Sequence, residues 1–315
     1  MMYTVRHVTR FRYSRPVTES VMEVRMQPRR DESQHCLSFE LTTDPHARIT
    51  SSRDYLGNIV HHFDVLRPHT ELTITAQALV TTTTALANDA LSPPSWDELD
   101  ALLQHSDHVE MLIPSQFARP TALLRELARE LDVARRDDPL SLMRELNTRL
   151  HDALSYTPHS TRVDSPIDVA LRQRRGVCQD YAHIMIALVR ELGVPCRYIS
   201  GYLYHRVEDT HSTPDASHAW VEALLPRLGW IGFDPTNNVV VGDRHIRVAI
   251  GRDYADVPPT RGVFKGEANT ELGVAVQVMQ ADERLIDDDL LLVMKPLSPP
   301  QIAGNQPEQQ QQGML

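Results

Sequence analysis

Three short segments carry residue types that could perform acyl chemistry together. Arg175-Gly176-Val177-Cys178-Gln179-Asp180-Tyr181-Ala182 offers a thiol, Ala216-Ser217-His218-Ala219-Trp220-Val221-Glu222 an imidazole, and Gly229-Trp230-Ile231-Gly232-Phe233-Asp234-Pro235-Thr236 a carboxylate. A thiol attacks a carbonyl as its thiolate, and a free cysteine is mostly protonated at neutral pH. A helix N-terminus favours the anion through its partial positive charge and its unpaired N–H groups. An adjacent imidazole can take the proton and later return it to a leaving amine. A carboxylate behind the ring then holds its tautomer and stabilises the imidazolium. Cys178 falls at the predicted start of a helix, and Gly176 allows the backbone to approach closely. His218 and Asp234 are separated by 16 positions, as expected for neighbouring antiparallel strands joined by a hairpin. Such strands lie only about 4.8 Å apart. Cys178 is therefore the candidate nucleophile, His218 the base and Asp234 the orienting acid. The Cys178 N–H is a candidate oxyanion donor. Tyr156, Gln173, Gln179 and Trp220 are the further oxyanion or cleft candidates.

The elements that must position these groups follow from periodicity. Residues 3 to 83 read as strands: Leu37, Phe39 and Leu41 alternate with polar neighbours, as do Leu72, Ile74, Ala76, Ala78 and Val80. Asp54-Tyr55-Leu56-Gly57-Asn58 carries turn chemistry, and 81–94 reads as a linker. Helical patterning then takes over. Ser95 and Glu98 form a capping box, Pro120 opens a stretch to Val133, and Asp138-Pro139 starts a helix reaching Leu154. A helix from Cys178 should stop at Gly193, with Pro195 beyond it. Strands are expected over Arg197–Tyr204, Ala219–Leu225 and Trp230–Asp234, with a late one containing Leu272, Val274, Val276 and Val278. From Pro299 a Pro- and Gln-rich tail has too few apolar residues for a core and is expected to be disordered.

Most other chemistry-bearing residues have plainer readings. Cys36 and Cys196 read as structural thiols, and His183 and the pair His61-His62 as ordinary satisfied or surface histidines. Trp220 and Trp230 fit strand core, although indole beside the histidine could also wall a cleft. Asp180 is a first-turn helix residue favoured by the dipole, and Asp287-Asp288-Asp289 a solvated turn without EF-hand spacing. HExxH, CxxC and P-loop motifs are absent, so neither a metal nor a nucleotide cofactor is expected.

Composition bounds the partners. With 315 residues, 41% hydrophobic and 23% charged, the chain is globular and about two domains long. The longest apolar run, Ile184 to Val189, is six residues, against roughly 20 for a membrane span. A net charge of -10 argues against a general nucleic-acid binder. Three cysteines cannot pair fully, and the N-terminus shows no hydrophobic export signal, so a cytoplasmic location with reduced thiols is expected.

Taken together, these segments resemble the bacterial transglutaminase-like family of papain-like cysteine enzymes. Arg174 to His183 is similar to the family's nucleophile segment, Asp215 to Glu222 to its histidine segment, and Gly232 to Asn238 to its aspartate segment. Gly251-Arg252-Asp253-Tyr254 and Arg261-Gly262-Val263-Phe264 add to the likeness. Tyr13-Ser14-Arg15-Pro16-Val17 and Arg25-Met26-Gln27-Pro28-Arg29 are similar to the β-rich domain that precedes the core in many bacterial members. The resemblance implies an α+β fold, with a nucleophile helix packed on an antiparallel sheet and an all-β domain before it. The expected division is 1–92 for the β domain, 93–298 for helical entry and core, and 299–315 for the tail. It implies a thioester acyl-enzyme formed on Cys178 from a peptide or protein substrate. Water as second attacker gives a protease or amidase; an amine gives a cross-linking acyltransferase. A catalytically silent scaffold is the reading from another class.

Overall fold

The computed structural model describes residues 1–83, 93–104, 107–205 and 217–281. The chain begins with six strands: β1 (Met2–Val17), β2 (Glu19–Val24), β3 (Gln34–Asp44), β4 (Thr50–Arg53), β5 (Ile59–Val65) and β6 (His69–Thr82). The helical part follows, with α1 (Trp96–Leu103), α2 (Ala122–Glu130), α3 (Pro139–Ala153), a short β7 (Ser155–Tyr156), α4 (Ile167–Gln173), β8 (Arg175–Gly176) and α5 (Cys178–Glu191). Seven more strands end the described chain: β9 (Cys196–Leu203), β10 (His218–Leu225), β11 (Gly229–Asp234), β12 (Val239–Val240), β13 (His245–Gly251), β14 (Thr260–Lys265) and β15 (Thr270–Gln280).

The strands make two four-stranded sheets, β15-β1-β6-β3 and β14-β2-β5-β4, whose inner faces share Phe11, Val17, Met22, Val24, Phe63, Leu72 and Ile74. The period-two face expected from Leu72 to Val80 is buried, Leu72, Ile74 and Ala76 inside the sandwich and Ala78 and Val80 against the helical core. Two of its strands come from the far end of the chain, since β14 pairs with β2 and β15 with β1. Residues 260–280 therefore belong to the sandwich by pairing, although they follow the core in sequence. The alternation in β3 is broken as well. A register shift between Cys36 and Ser38 leaves Leu37 51% exposed, out of step with half-buried Phe39 and Leu41.

The remaining sheet, β12-β11-β10-β9-β13, is antiparallel, and α5 lies across β9 and β10. Every residue of α5 from Gln179 to Arg190 is buried, so the helix forms the centre of the larger core. Arg190 is tolerated there because its guanidinium donates to the carbonyls of Met111, Cys196 and Arg252 and to Ser115 Oγ. The core is thus α+β, as the resemblance implies.

Helix starts obey local chemistry. Ser95 and Glu98 cap α1 reciprocally, and Asp138 Oδ1 accepts from Ser141 N–H at the head of α3. At α2 the cap is Thr121 rather than Pro120: its hydroxyl accepts from Leu124 N–H and donates to Asp168. Gly193, at φ +76°, follows the end of α5 as expected. Thr81 and Thr82 belong to β6 and Thr83 follows it, while 84–92 of the expected linker lie outside the described residues. The tail from 299 and Asp287 to Asp289 also lie outside them. Among the described residues, no helix is long and apolar enough to cross a membrane.

Candidate active site

Cys178 is the first residue of α5 and is half-buried. Its approach is set by β8, which runs parallel to β7 with Tyr156 opposite Gly176. A side chain at Gly176 would collide with Asp180, its Cβ coming within 2.8 Å of Asp180 Cβ. Asp180 fills that space for a reason. Its Oδ2 accepts from Val177 N–H (2.8 Å) and from Thr161 Oγ1 (2.5 Å) and so fastens the helix entry. Burial pushes the Asp180 carboxyl up to about 6, against the pull of these two bonds. The intrahelical bonds of α5 begin at Asp180 and Tyr181, both to Val177 O, so the Cys178 and Gln179 amides precede them.

The hairpin of β10 and β11 brings the other two groups together. His218 opens β10 and Asp234 closes β11; both are buried, and His218 Nε2 donates to Asp234 Oδ2 at 2.7 Å. Cys178 is a further hydrogen-bond partner of the imidazole. Burial alone would push His218 down, but Asp234 and then Cys178 outweigh it and hold the imidazole up at about 10. Burial would likewise raise Asp234, yet His218 and His245 keep it well below the usual carboxylate range. Its Oδ1 also accepts from the N–H groups of Thr236 (3.0 Å) and Asn237 (3.2 Å), and Asn237 Nδ2 donates to Oδ2 at 2.7 Å. A buried carboxylate with this many donors stays ionised.

The other candidates separate. Tyr156 is half-buried beside Gly176 and flanks the nucleophile segment. Gln173 is exposed at the end of α4, where its Oε1 accepts from Arg175 Nε at 2.9 Å. The structure does not bring it to the thiol and imidazole as an oxyanion donor. Gln179 is buried, and its Nε2 donates to Arg162 O at 2.9 Å. It anchors the segment before α4 instead of lining a cleft. Trp220 is 0% exposed and cannot wall a cleft; its ring lies 6.1 Å from that of His218 and 5.2 Å from that of His245. Gly201 makes room for the indole, since a Cβ there would meet Trp220 Cη2 at 2.6 Å. Trp230 is half-buried beneath the Arg197 guanidinium, 4.1 Å from the ring.

His183 follows the plain reading. It is stacked between Phe117 and Tyr198, accepts from Tyr254 N–H, and is pushed down to about 4 by burial. His61 is buried against Phe39, whereas His62 is half-buried beside Ser52. Burial pushes the thiols of Cys36 and Cys196 up to about 11 and 12.

Sequence reasoning missed His245, which reaches Asp234 Oδ2 at 3.1 Å from the start of β13. Only sheet order could have found it, because β13 pairs with β9 on the far side of β10. His218, Asp234 and His245 each offer an atom within 4.8 Å of the others, a spacing compatible with a metal. The 2.7 and 3.1 Å contacts, however, are hydrogen bonds from nitrogens that would have to lose their protons to become ligands.

Comparison with known proteins agrees with this architecture. Residues 3–81 match the bacterial transglutaminase-like N-terminal region, and 125–235 match the transglutaminase-like superfamily. The Mycobacterium leprae protein named uncharacterized protein ML0607 is 33% identical over 274 residues, covering 86% of this chain and 96% of its own length. A protein-glutamine gamma-glutamyltransferase of Pseudomonas aeruginosa is 33% identical over 130 residues, 36% of this chain but 18% of its own length. A crystal structure from Cytophaga hutchinsonii, titled as a candidate cysteine protease, superposes with a TM-score of 0.69. It has 22% identity and covers 90% of this chain and 92% of that one. The chain belongs to the transglutaminase-like superfamily and carries that superfamily's bacterial N-terminal region.

Proposed function

We propose that the chain is a cysteine enzyme that cleaves a peptide or amide bond through a thioester acyl-enzyme. One observation carries this reading: a half-exposed thiol at a helix start is hydrogen-bonded to a buried imidazole, which a buried carboxylate holds charged. Cys178 Sγ attacks the carbonyl carbon, and the amide oxygen takes up the negative charge near the Cys178 N–H. The C–N bond breaks as His218 gives its Nδ1 proton to the leaving amine. The neutral His218 then takes a proton from water, and the resulting hydroxide attacks the thioester. Acid and thiolate leave, with the proton back on His218. Throughout, Asp234 keeps Nε2 protonated and Nδ1 turned to sulfur.

Amine transfer is the second reading, favoured by the 33% identity to a protein-glutamine gamma-glutamyltransferase over 130 residues. The first half-reaction is the same, and a primary amine replaces water in the second. Mass spectrometry of a mixed peptide pool incubated with and without a labelled primary amine separates the two. New termini or deamidated side chains without adducts support hydrolysis. Labelled adducts that vanish in Cys178→Ala support transfer. Products that persist in Cys178→Ala would overturn both.

A further inference from the structure

Two imidazoles, not one, converge on Asp234. His245 is 4% exposed, and its Nε2 lies 3.1 Å from Asp234 Oδ2. Its Nδ1 accepts from Gly242 N–H at 3.4 Å, which places the ring proton on Nε2 and makes His245 the donor to the carboxylate. The ring is also held from the side. Trp220, seated over Gly201, meets it nearly edge to face at 73°, and the His218 ring centroid is 6.2 Å away.

We propose that His245 is a positioning residue for the chemistry of Cys178 and His218: its Nε2–H fixes Asp234 Oδ2 in the direction that keeps His218 turned to the thiol. The inference rests on the reading of Cys178 as nucleophile and His218 as base. Its physical basis is the division of labour on one carboxylate. Oδ1 is tied to the β11 exit by the Thr236 and Asn237 amides, whereas Oδ2 serves the side chains of His218, Asn237 and His245. Backbone bonds to Oδ1 set where the carboxylate is; the Asn237 and His245 donors on Oδ2 set the direction from which it accepts the His218 bond. A residue needed only for volume against the Trp220 indole would be an apolar one. An imidazole there costs desolvation that only a required donor offsets. The charged and titratable groups facing the ring are Asp234 from β11, His218 from β10 and Arg244 from its own turn, with Cys178 behind His218. Burial first, then His218 and Arg244, push His245 down in spite of Asp234, so it donates as a neutral ring.

The test is the pH profile of Cys178 alkylation by iodoacetamide, followed by peptide mass spectrometry on the full chain. It compares wild type, His245→Gln, which keeps a donor, and His245→Phe, which fills the volume without one. His245→Phe is expected to slow alkylation at neutral pH about tenfold and to move the acid limb of the profile up by about one pH unit. His245→Gln should recover most of that loss. An unchanged profile in His245→Phe overturns the proposal, as does an equal shift in both variants, which would reflect packing against Trp220 alone. Nitrogen-15 NMR of histidine-labelled wild type supplies a test that needs no folded variant. A neutral ring protonated at Nε2 is expected for His245, and protonation at Nδ1 would overturn the proposal. Wild-type Cys178 that alkylates no faster than Cys36 would instead overturn the nucleophile–base reading beneath it.

Discussion

Two carboxylates are fully buried in the five-stranded sheet, and both are crowded with donors. Glu222, in the middle of β10, accepts from Arg197 Nε (2.8 Å) and from Arg247 Nε (2.5 Å). Arg247 also reaches Ser33 and Asp31, so this cluster ties the core sheet to the sandwich. Asp234, at the end of β11, accepts from His218 and His245. Burial and pairing are alike; the donors are not. A guanidinium keeps its proton at any accessible pH, whereas an imidazole passes it on. A half-exposed thiol also borders the imidazole cluster. A buried charge network therefore marks a site of chemistry only where a transferable proton meets a reachable nucleophile.

The sharpest way to break this comparison is to neutralise each carboxylate in turn. Asp234→Asn should cut turnover roughly 10³–10⁴-fold, because the amide presents a donor where His218 needs an acceptor. Its urea midpoint should fall as well, because the amide nitrogen in place of Oδ2 no longer accepts from His218, Asn237 and His245, although Asn Oδ1 can still accept from the Thr236 and Asn237 backbone N–H groups. Turnover retained above about a tenth of wild type would contradict the assignment. Glu222→Gln should cost stability without the chemistry, about 3–5 kcal/mol by urea unfolding, because two guanidiniums lose their charged partner. Its Cys178 alkylation rate should stay within about threefold of wild type. A catalytic collapse comparable to that of Asp234→Asn would remove the distinction between the clusters.

The contrast extends to the histidines. His7, bonded to Tyr202 and Thr9, and His183 are both pushed down to about 4 by burial, from an ordinary value of 6.5. Their folded-state values are lowered, so the stability they confer is complete above 6.5 and is lost as pH falls from there toward 4. The loss is roughly 3 kcal/mol for each ring. Asp180, held up at about 6 rather than its ordinary 3.8, works in the opposite direction over that lower range and offsets part of it. His218 is raised instead, so its contribution is complete below 6.5 and is lost as pH rises through about 10. Urea midpoints measured across pH should therefore fall on both sides of neutrality. His7→Gln should flatten the acid side, and an unaltered acid limb would contradict the assignment of neutral, buried His7. The smallest effect is expected at Gln179→Ala, about 1 kcal/mol from the lost bond to Arg162 O. Thermal unfolding checks it, and a loss several times larger would mean that Gln179 does more than hold that segment.

The α5 helix, the β10–β11 hairpin and three helix caps were legible because each is local: a cap or a hairpin is written in a few adjacent residues. The residue types at 178, 218 and 234 were legible for the same reason, each standing at an element's end. What sequence did not reveal depends on pairing between distant residues. The return of β14 and β15 to the sandwich has no local signature, nor does the approach of His245 to Asp234 from the far edge of the sheet. Leu37 was misplaced because a bulge shifts the period by one residue, which alternation alone cannot show. Trp220 fits strand core in sequence, with a cleft wall as the alternative, and Gly201, on a different strand, shows where its ring lies.

The three cysteines allow the most direct test of the central claim, that the Asp234–His218 pair makes Cys178 the reactive thiol. Iodoacetamide labelling at neutral pH, resolved by peptide mass spectrometry, reads all three in one sample. Cys178 should react at least about tenfold faster than Cys36 and Cys196, and His218→Ala should slow Cys178 at least about tenfold while leaving the other two unchanged. A Cys178 rate no greater than that of Cys36, or one untouched by His218→Ala, would contradict the account.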